Sequence, residues 1–172
     1  MIVLAALLFF LPAGIANMLP VLAAKAPLLR HWNTPIDFNA KLGGKPIFGS
    51  HKTWRGLLIG VIGGAIVGSL LPSGIITDYY PGWSAAAAAS MSFGALAGDA
   101  IKSFFKRRSG RPSGATWFPF DQLDYIVGGL LCSLPFGVPS LSLVATVFGL
   151  YFCLHVASTH IGYWLKLKSS PL

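Results

Sequence analysis

Acidic residues are scarce in this chain, and glutamate is absent. The 172 residues include five aspartates against 13 lysines and arginines, and the formal net charge is +8. Only 10% of the residues are charged, whereas soluble domains average roughly 25%. With 54% hydrophobic residues and a mean hydropathy of +0.67, the composition excludes an ordinary soluble domain and predicts an all-α integral membrane protein.

Cysteine is scarce as well. Cys132 and Cys153 lie within apolar runs, and their spacing suits neither a metal site nor a redox pair. We therefore interpret both as packing residues and expect no disulfide or thiol chemistry.

Long apolar stretches occupy most of the chain. No Lys or Arg precedes the first of them, so we expect a retained helix there and not a cleaved signal peptide. Each stretch has about 17 residues or more, which is enough for a helix to cross a bilayer. The predicted transmembrane spans are residues 1–24, 56–72, 84–101, 122–138 and 140–164.

The basic residues indicate how these spans are oriented. Every Lys and Arg lies in residues 25–55, 102–111 or 166–168, and a five-span arrangement puts these segments on one side. The positive-inside rule assigns that side to the cytoplasm. We therefore expect two basic cytoplasmic loops, 25–55 and 102–121, with the N-terminus outside and the C-terminus cytoplasmic. For a membrane protein, this positive net charge indicates binding to anionic lipid headgroups and phosphorylated substrates, and not to nucleic acid.

Glycine is placed for close helix packing. It recurs every four residues from Gly56 to Gly68, which predicts a bare stripe on one face of the second span. Gly94 and Gly98 provide a similar step in the third span. In the first loop, by contrast, prolines and the Gly43-Gly44 pair argue against a long helix.

Residues 98–124 are the candidate for chemistry, because they hold three of the five acids and five of the 13 basic residues. Asp121 and Asp124 are three residues apart at the start of the fourth span, so both would project from one helix face. Their carboxylates suit Mg²⁺ with substrate phosphates. The compatible alternative is helix capping, with Asp121 as the N-cap and Asp124 in the first turn.

Asp99 is the third acid of this region. The prediction places it in the last turn of the third span, where the helix dipole disfavours an acid and the membrane makes a charge costly. That favours a functional role, and the alternative is an ion pair with Lys102. If the helix continues, Lys102 and Lys106 share its face with Asp99, which suits a metal–triphosphate complex. For Arg108, an orientation signal explains the charge equally well.

Two loop segments are candidate anion sites. Residues 49–56 are not a P-loop, because the Lys-Ser/Thr pair does not follow the glycine and no strand precedes it. They still form a basic segment that enters a helix N-terminus, where anions bind readily. Residues 111–114, Arg-Pro-Ser-Gly, suit a turn that exposes backbone N–H groups to phosphate.

These motifs resemble a known family over nearly the whole chain. Ser103-x-x-Lys106-Arg107, a Gly/Pro loop and Asp121-x-x-Asp124 are similar to the signature region of the CDP-diacylglycerol synthases. The His-Gly-Gly that precedes the Asp in that signature is absent, and residues 117–120 stand in its place. The small CDP-archaeol synthases of archaea are more similar, through Gly49-Ser50-His51-Lys52-Thr53-Trp54-Arg55-Gly56 and Gly98-Asp99-Ala100-Ile101-Lys102-Ser103-Phe104-Phe105-Lys106-Arg107-Arg108.

The resemblance implies a multi-pass cell-membrane enzyme with a cytoplasmic active site. It would transfer CMP from CTP to 2,3-bis-O-geranylgeranyl-sn-glycerol 1-phosphate, an isoprenoid ether lipid phosphate, and release pyrophosphate. Mg²⁺ would be the cofactor, with Asp99, Asp121 and Asp124 as ligands. Those three aspartates with Lys102 and Lys106 would be the catalytic residues. The substrate-binding residues would be Lys52, Thr53, Arg55, Arg107 and Arg111.

Three alternatives remain at this point. A CDP-diacylglycerol synthase would use diacyl phosphatidic acid with the same motifs. A CDP-alcohol phosphotransferase would need further aspartates after the first pair, and none follows Asp124. A small anion transporter would use the basic loops as a funnel and the glycine stripes for helix movement.

Overall fold

Helices carry most of the chain in the computed structural model, which describes residues 1–112 and 115–164. The long helices are connected by short segments at one end of the bundle and by larger loops at the other. In order, the elements are α1 (Ile2–Lys25), β1 (Lys41–Leu42), β2 (Lys45–Pro46), α2 (Trp54–Leu70), α3 (Ser73–Thr77), α4 (Ala85–Arg108), α5 (Phe120–Ser133), a 3-10 turn (Leu134–Phe136) and α6 (Leu141–Trp164).

The five long helices lie where the apolar stretches predicted spans, with some corrections. Helix α4 continues to Arg108, so the second basic loop begins at Ser109 and not at residue 102. The first loop contains an antiparallel hairpin, and the turn at 73–83 contains α3, neither of which was predicted. Lys166 and Lys168 of the predicted C-terminal basic segment lie outside the described residues.

Two helices in the described ranges are long and apolar enough to cross a membrane by length and composition. They are α1 and residues Leu141–Ile161 of α6. Helix α2 is a shorter apolar helix. The expected five crossings and their orientation stay predictions.

Glycines fix the distances between the helices, as predicted. The four α2 glycines at four-residue spacing, Gly56, Gly60, Gly64 and Gly68, are buried, and a Cβ on Gly64 would collide with Ser92 of α4. A Cβ on Gly98 would collide with the backbone carbonyl of Asp124, and Gly94 and Gly128 face each other just as closely. Helices α4 and α5 therefore meet backbone to backbone.

Aromatic side chains fill the centre of the bundle and satisfy buried carbonyl groups. Tyr80 donates to Ser133 O at 2.6 Å, and Tyr125 donates to Tyr151 O at 2.9 Å. Tyr151 in turn donates to Leu7 O at 2.7 Å. These bonds join α1, α5 and α6 in a fixed arrangement and thereby hold α5, the helix that carries Asp121 and Asp124, in place.

The first loop is ordered by polar contacts. Its hairpin turns at Gly43 and Gly44, whose φ values of +56° and +75° suit glycine. Asp37 accepts hydrogen bonds from the backbone N–H groups of Asn39, at 3.0 Å, and Phe48, at 2.9 Å. The hydroxyl of Thr53 accepts from Gly56 N at 3.2 Å and caps α2.

Candidate active site

The centre of the site is an ammonium group surrounded by three carboxylates. Lys102 Nζ lies 3.0 Å from Asp99 Oδ1, 2.7 Å from Asp121 Oδ1 and 2.7 Å from Asp124 Oδ2. The structure thus brings together the three aspartates that the sequence singled out. The Asp99–Lys102 ion pair that the sequence left open is present, and it is one edge of this larger cluster.

The crossing of α4 and α5 explains this convergence. Asp99 follows Gly98, the residue that touches the Asp124 backbone, so both acids lie at the point of closest approach. Lys102 and Lys106 share the face of α4 with Asp99, as predicted for a continuing helix. Because α4 runs on to Arg108, Asp99 is not in its last turn, and the helix-dipole argument made for it is wrong.

Two more lysines close the cluster. Lys106 Nζ lies 2.8 Å from Asp121 Oδ1 and 3.1 Å from Asp121 Oδ2. Lys52 reaches from the first loop to the second oxygen of Asp99. The side chains are largely shielded, with 6% exposure for Asp124 and 22% for Asp99. A cluster of three acids and three lysines is therefore enclosed between α4, α5 and the first loop.

Burial and ion pairing shift the pKa values of Asp121, Lys102 and Lys106. Burial raises the pKa of Asp121, but the hydrogen bonds from Lys102 and Lys106 lower it more, so it lies below its ordinary value. Burial lowers the pKa of Lys102, but Asp99 and Asp124 raise it above its ordinary range. For Lys106 burial prevails over its pairing with Asp121, and its pKa lies below the ordinary value.

Asp121 does not cap α5 in the way that the alternative interpretation required. Pro119 occupies the N-cap position, and Asp121 lies in the first turn. Its Oδ2 accepts a hydrogen bond from Trp117 N at 2.6 Å. The carboxylate thus fixes the preceding loop and faces the lysines at the same time.

A basic pocket of about 450 Å³ adjoins the end of α4. Arg107, 8% exposed, lies in its wall and donates to Pro112 O at 3.1 Å, while Arg111 stacks over Trp117 at 5.4 Å. Positions 113 and 114 of the predicted phosphate-binding turn lie outside the described residues. The lining comprises Asp37, Asn39, Lys41, Lys45, Pro46, Gly49, Ser50, Arg107, Gly110, Arg111 and Pro112.

Two of the predicted substrate-binding residues have other contacts. Arg55 is 4% exposed and donates to Leu29 O at 2.9 Å and to Asn33 Oδ1 at 2.8 Å. Thr53 is occupied as the cap of α2. Binding roles for these two residues stay predictions, and their observed contacts hold the first loop on α2.

Sequence reasoning missed the contribution of the hairpin. Lys41 and Lys45 line the pocket from the hairpin, but they were counted only as basic loop residues. The Gly43-Gly44 pair between them is a typical two-residue hairpin turn, and this signal was available. No comparable signal marks the longer-range contacts of Asp37, because the amides of Phe48 and Gly49 that donate to it lie 11 and 12 residues further along.

The donor set suits a hard cation such as Mg²⁺, since all three acids offer carboxylate oxygens. Asp124 Oδ2 is buried, and it contacts the ammonium group of Lys102 at 2.7 Å. Within residues 1–112 and 115–164, no three His, Cys, Asp or Glu side chains lie close enough to hold a metal ion together. The bridging ammonium accounts for this spacing, because N–O contacts of 2.7–3.0 Å exceed Mg–O distances of about 2.1 Å.

Comparisons with known proteins agree on one family. The model of the CarS-like family, CDP-archaeol synthase, matches residues 1–172. The chain is 40% identical to a CDP-archaeol synthase of Methanopyrus kandleri over 95% of this chain and 90% of the relative. It is 36% identical to that of Pyrococcus furiosus over 98% of each chain.

A solved structure is similar throughout its fold. It is described as an intramembrane enzyme for archaeal membrane lipids biosynthesis. The match has a TM-score of 0.76 and 33% identity, and it covers 91% of this chain and 93% of the other. Together with the apolar helices, this similarity makes the present chain a membrane protein.

Proposed function

Because this chain belongs to the CDP-archaeol synthase family, we propose that it transfers CMP from CTP to 2,3-bis-O-geranylgeranyl-sn-glycerol 1-phosphate and yields CDP-archaeol and pyrophosphate. The chain is an enzyme, a CTP-dependent lipid-phosphate cytidylyltransferase. The observation that carries the specific proposal is the cluster of three aspartates on Lys102 beside a basic pocket.

The chemistry requires charge stabilisation more than proton transfer. An anionic oxygen of the lipid phosphate attacks the α-phosphorus of CTP, the new P–O bond forms, and the bond to the β-phosphate oxygen breaks. Because the nucleophile is already ionised, no general base is needed. Lys102 and Lys106 offset charge on the phosphates, and Arg107 and Arg111 hold the triphosphate in the pocket.

We propose Mg²⁺ as the cofactor, held by Asp99, Asp121 and Asp124. When bound, it would offset phosphate charge and polarise the P–O bonds. The fit is supported by the oxygen-only donor set, since the three carboxylates converge on one ammonium group. Lys52 would remain beside Asp99 and orient that carboxylate from the first loop.

The proposed membrane arrangement has five crossings, with the site on the cytoplasmic side. Within the described ranges, all Lys and Arg residues lie at the end of the bundle where α1 and α4 end and α2 and α5 begin. This is the end that holds the aspartate cluster. The positive-inside rule therefore supports a cytoplasmic site that receives CTP from the cell interior.

The isoprenoid chains would lie in an apolar groove between helices. A groove of about 220 Å³ runs between α5 and α6, and it begins one helical turn from Asp124, at Val127. A lipid whose phosphate lies at Asp124 would place its chain along this face of α5. The groove is lined by Val127, Leu130, Leu131, Leu134, Pro139, Val144 and Phe148.

Pyrophosphate release tests the proposal. Purified protein in detergent receives CTP, Mg²⁺ and either the ether lipid phosphate or diacyl phosphatidic acid. We expect release that requires the ether lipid and Mg²⁺ and that Asp124→Asn lowers on the order of 100-fold, about 2.7 kcal/mol of transition-state stabilisation. Asp78→Asn is the matched control, because Asp78 is exposed at the opposite end of the bundle.

Each alternative has its own outcome in this assay. Faster release with diacyl phosphatidic acid would assign the chain a different lipid. Release without Mg²⁺ would remove the proposed cofactor. If folded wild-type protein released no pyrophosphate with either lipid, the proposed reaction would be wrong.

A further inference from the structure

Arg108 has an unusual set of partners at the end of α4. Its guanidinium donates to three backbone carbonyls of the hairpin, those of Leu42, Lys45 and Pro46, the last two at 2.9 and 2.6 Å. Each of these oxygens belongs to β1 or β2. A single planar side chain therefore holds both strands of the hairpin.

The contact is reciprocal. Lys45 Nζ donates to the carbonyl of Arg108 at 3.1 Å, which satisfies an acceptor left free where α4 ends. The guanidinium carbon also lies 5.1 Å from the ring centre of Phe104, so the group rests on an aromatic surface. Hairpin and helix end thus form one clasp, made of Arg108, Lys45 and the carbonyls of β1 and β2.

The clasp lies at the wall of the basic pocket. Lys41, Lys45 and Pro46 line the pocket from the hairpin, and Arg107 lines it from α4. Arg107 and Arg108 are adjacent, but their side chains have different partners. Arg107 lines the pocket. Arg108 is not among the lining residues, and its terminal nitrogens donate to carbonyl groups of the hairpin.

We propose that Arg108 is a positioning residue that fastens the hairpin to α4 and thereby sets the width of the pocket for the nucleoside triphosphate. This rests on the proposed function, because it takes the pocket to be the CTP site. Arg108 acts through the hairpin lysines and does not touch the substrate itself. Its loss would loosen one wall while the aspartate cluster around Lys102 stays intact.

The test combines kinetics with hydrogen exchange on the full chain in detergent. In Arg108→Gln we expect the KM for CTP to rise about 10-fold or more, with kcat within about twofold and an unchanged KM for the lipid. Backbone amides of residues 41–47 should exchange faster in the same variant. Arg30→Gln is the control, since Arg30 is an exposed loop arginine whose side chain donates to its neighbour His31.

Arg108→Lys separates the clasp from a simple charge effect. Lysine keeps the positive charge, but it does not have the planar fork that spans three carbonyls. We expect it to behave like Arg108→Gln in both measurements. Full rescue by lysine would show that only the charge matters and would overturn the proposal.

Other outcomes are equally decisive. A fall in kcat with an unchanged KM for CTP, or unchanged exchange in residues 41–47, would overturn the positioning role. If Arg108→Gln does not fold, Lys45→Met removes the reciprocal bond together with one pocket lysine, and it should still speed exchange in the hairpin. If the wild type shows no turnover at all, the exchange data still test the clasp, so the two failures are distinguishable.

Discussion

Lys102 Nζ lies 2.7 Å from Asp124 Oδ2, a buried carboxylate oxygen. The ammonium group offsets the charge of this carboxylate, and it also bridges Asp99 and Asp121. A divalent cation bound by the same oxygens would have to replace it. This relationship makes Lys102 a counter-charge for the three aspartates as well as a candidate for phosphate binding.

Lys102→Met should make the protein depend on Mg²⁺ for stability. Asp124 would then lose its ammonium partner, while Lys52 and Lys106 stay at Asp99 and Asp121. Breaking such a shielded pair costs about 3 kcal/mol. We expect the melting temperature in EDTA to fall by several degrees and Mg²⁺ to raise it more than in the wild type. Lys25→Met, at the exposed end of α1, is the control. Equal stabilisation of both proteins by Mg²⁺ would contradict this prediction.

Gly98→Ala should separate α4 from α5. The added Cβ would collide with the Asp124 carbonyl, a backbone atom that side-chain rotation does not move. We expect a loss of about 1–3 kcal/mol of stability together with a fall in activity, because Asp99 and Asp124 lie beside this contact. Gly149→Ala in α6 is the matched control, since a Cβ there meets nothing within 4 Å. Wild-type melting and turnover in Gly98→Ala would contradict the backbone contact.

Asp121 should stabilise the fold above its ordinary pKa and lose that effect in acid. Burial raises its pKa, but hydrogen bonds from Lys102 and Lys106 lower it below the ordinary 3.8. A carboxyl with a lowered folded-state pKa stabilises the protein above the unfolded-state pKa and stops doing so as pH falls through the folded-state value. The melting temperatures of wild type and Asp121→Asn should therefore differ most above about pH 4 and converge below it. A constant difference from pH 7 to pH 3 would contradict this account.

Thr53→Ala should cost stability through the lost cap of α2. The hydroxyl accepts from Gly56 N, and removing such a cap typically costs about 1 kcal/mol. Thr53→Ser keeps the oxygen and should restore the melting temperature. The kinetics of the same variants address the predicted binding role: a higher KM for CTP in Thr53→Ala with normal stability would show that the hydroxyl serves the substrate and not the helix.

The sequence predicted much of the fold because its signals are local. Hydropathy and the scarcity of charge placed the long helices, and the four-residue spacing from Gly56 to Gly68 predicted a close helix contact that the structure confirms. The same reasoning placed Asp99, Asp121 and Asp124 in one functional region. It erred at the end of α4, which continues to Arg108 and has a tertiary contact there, the hydrogen bond from Lys45 to the carbonyl of Arg108.

By itself, the sequence determined the chemical class of the protein: an apolar helical chain with few acids, most of them beside a basic segment. Only the tertiary structure decided how those groups meet. Asp99 and Asp124 are separated by 25 positions in the numbering, and the α4–α5 crossing brings both onto Lys102. The adjacent arginines at 107 and 108 also have different contacts, one with the pocket and one with the hairpin, and this difference depends on where the hairpin lies. Such contacts join residues that are far apart in the sequence. Residue type and spacing therefore do not show which partner a side chain contacts.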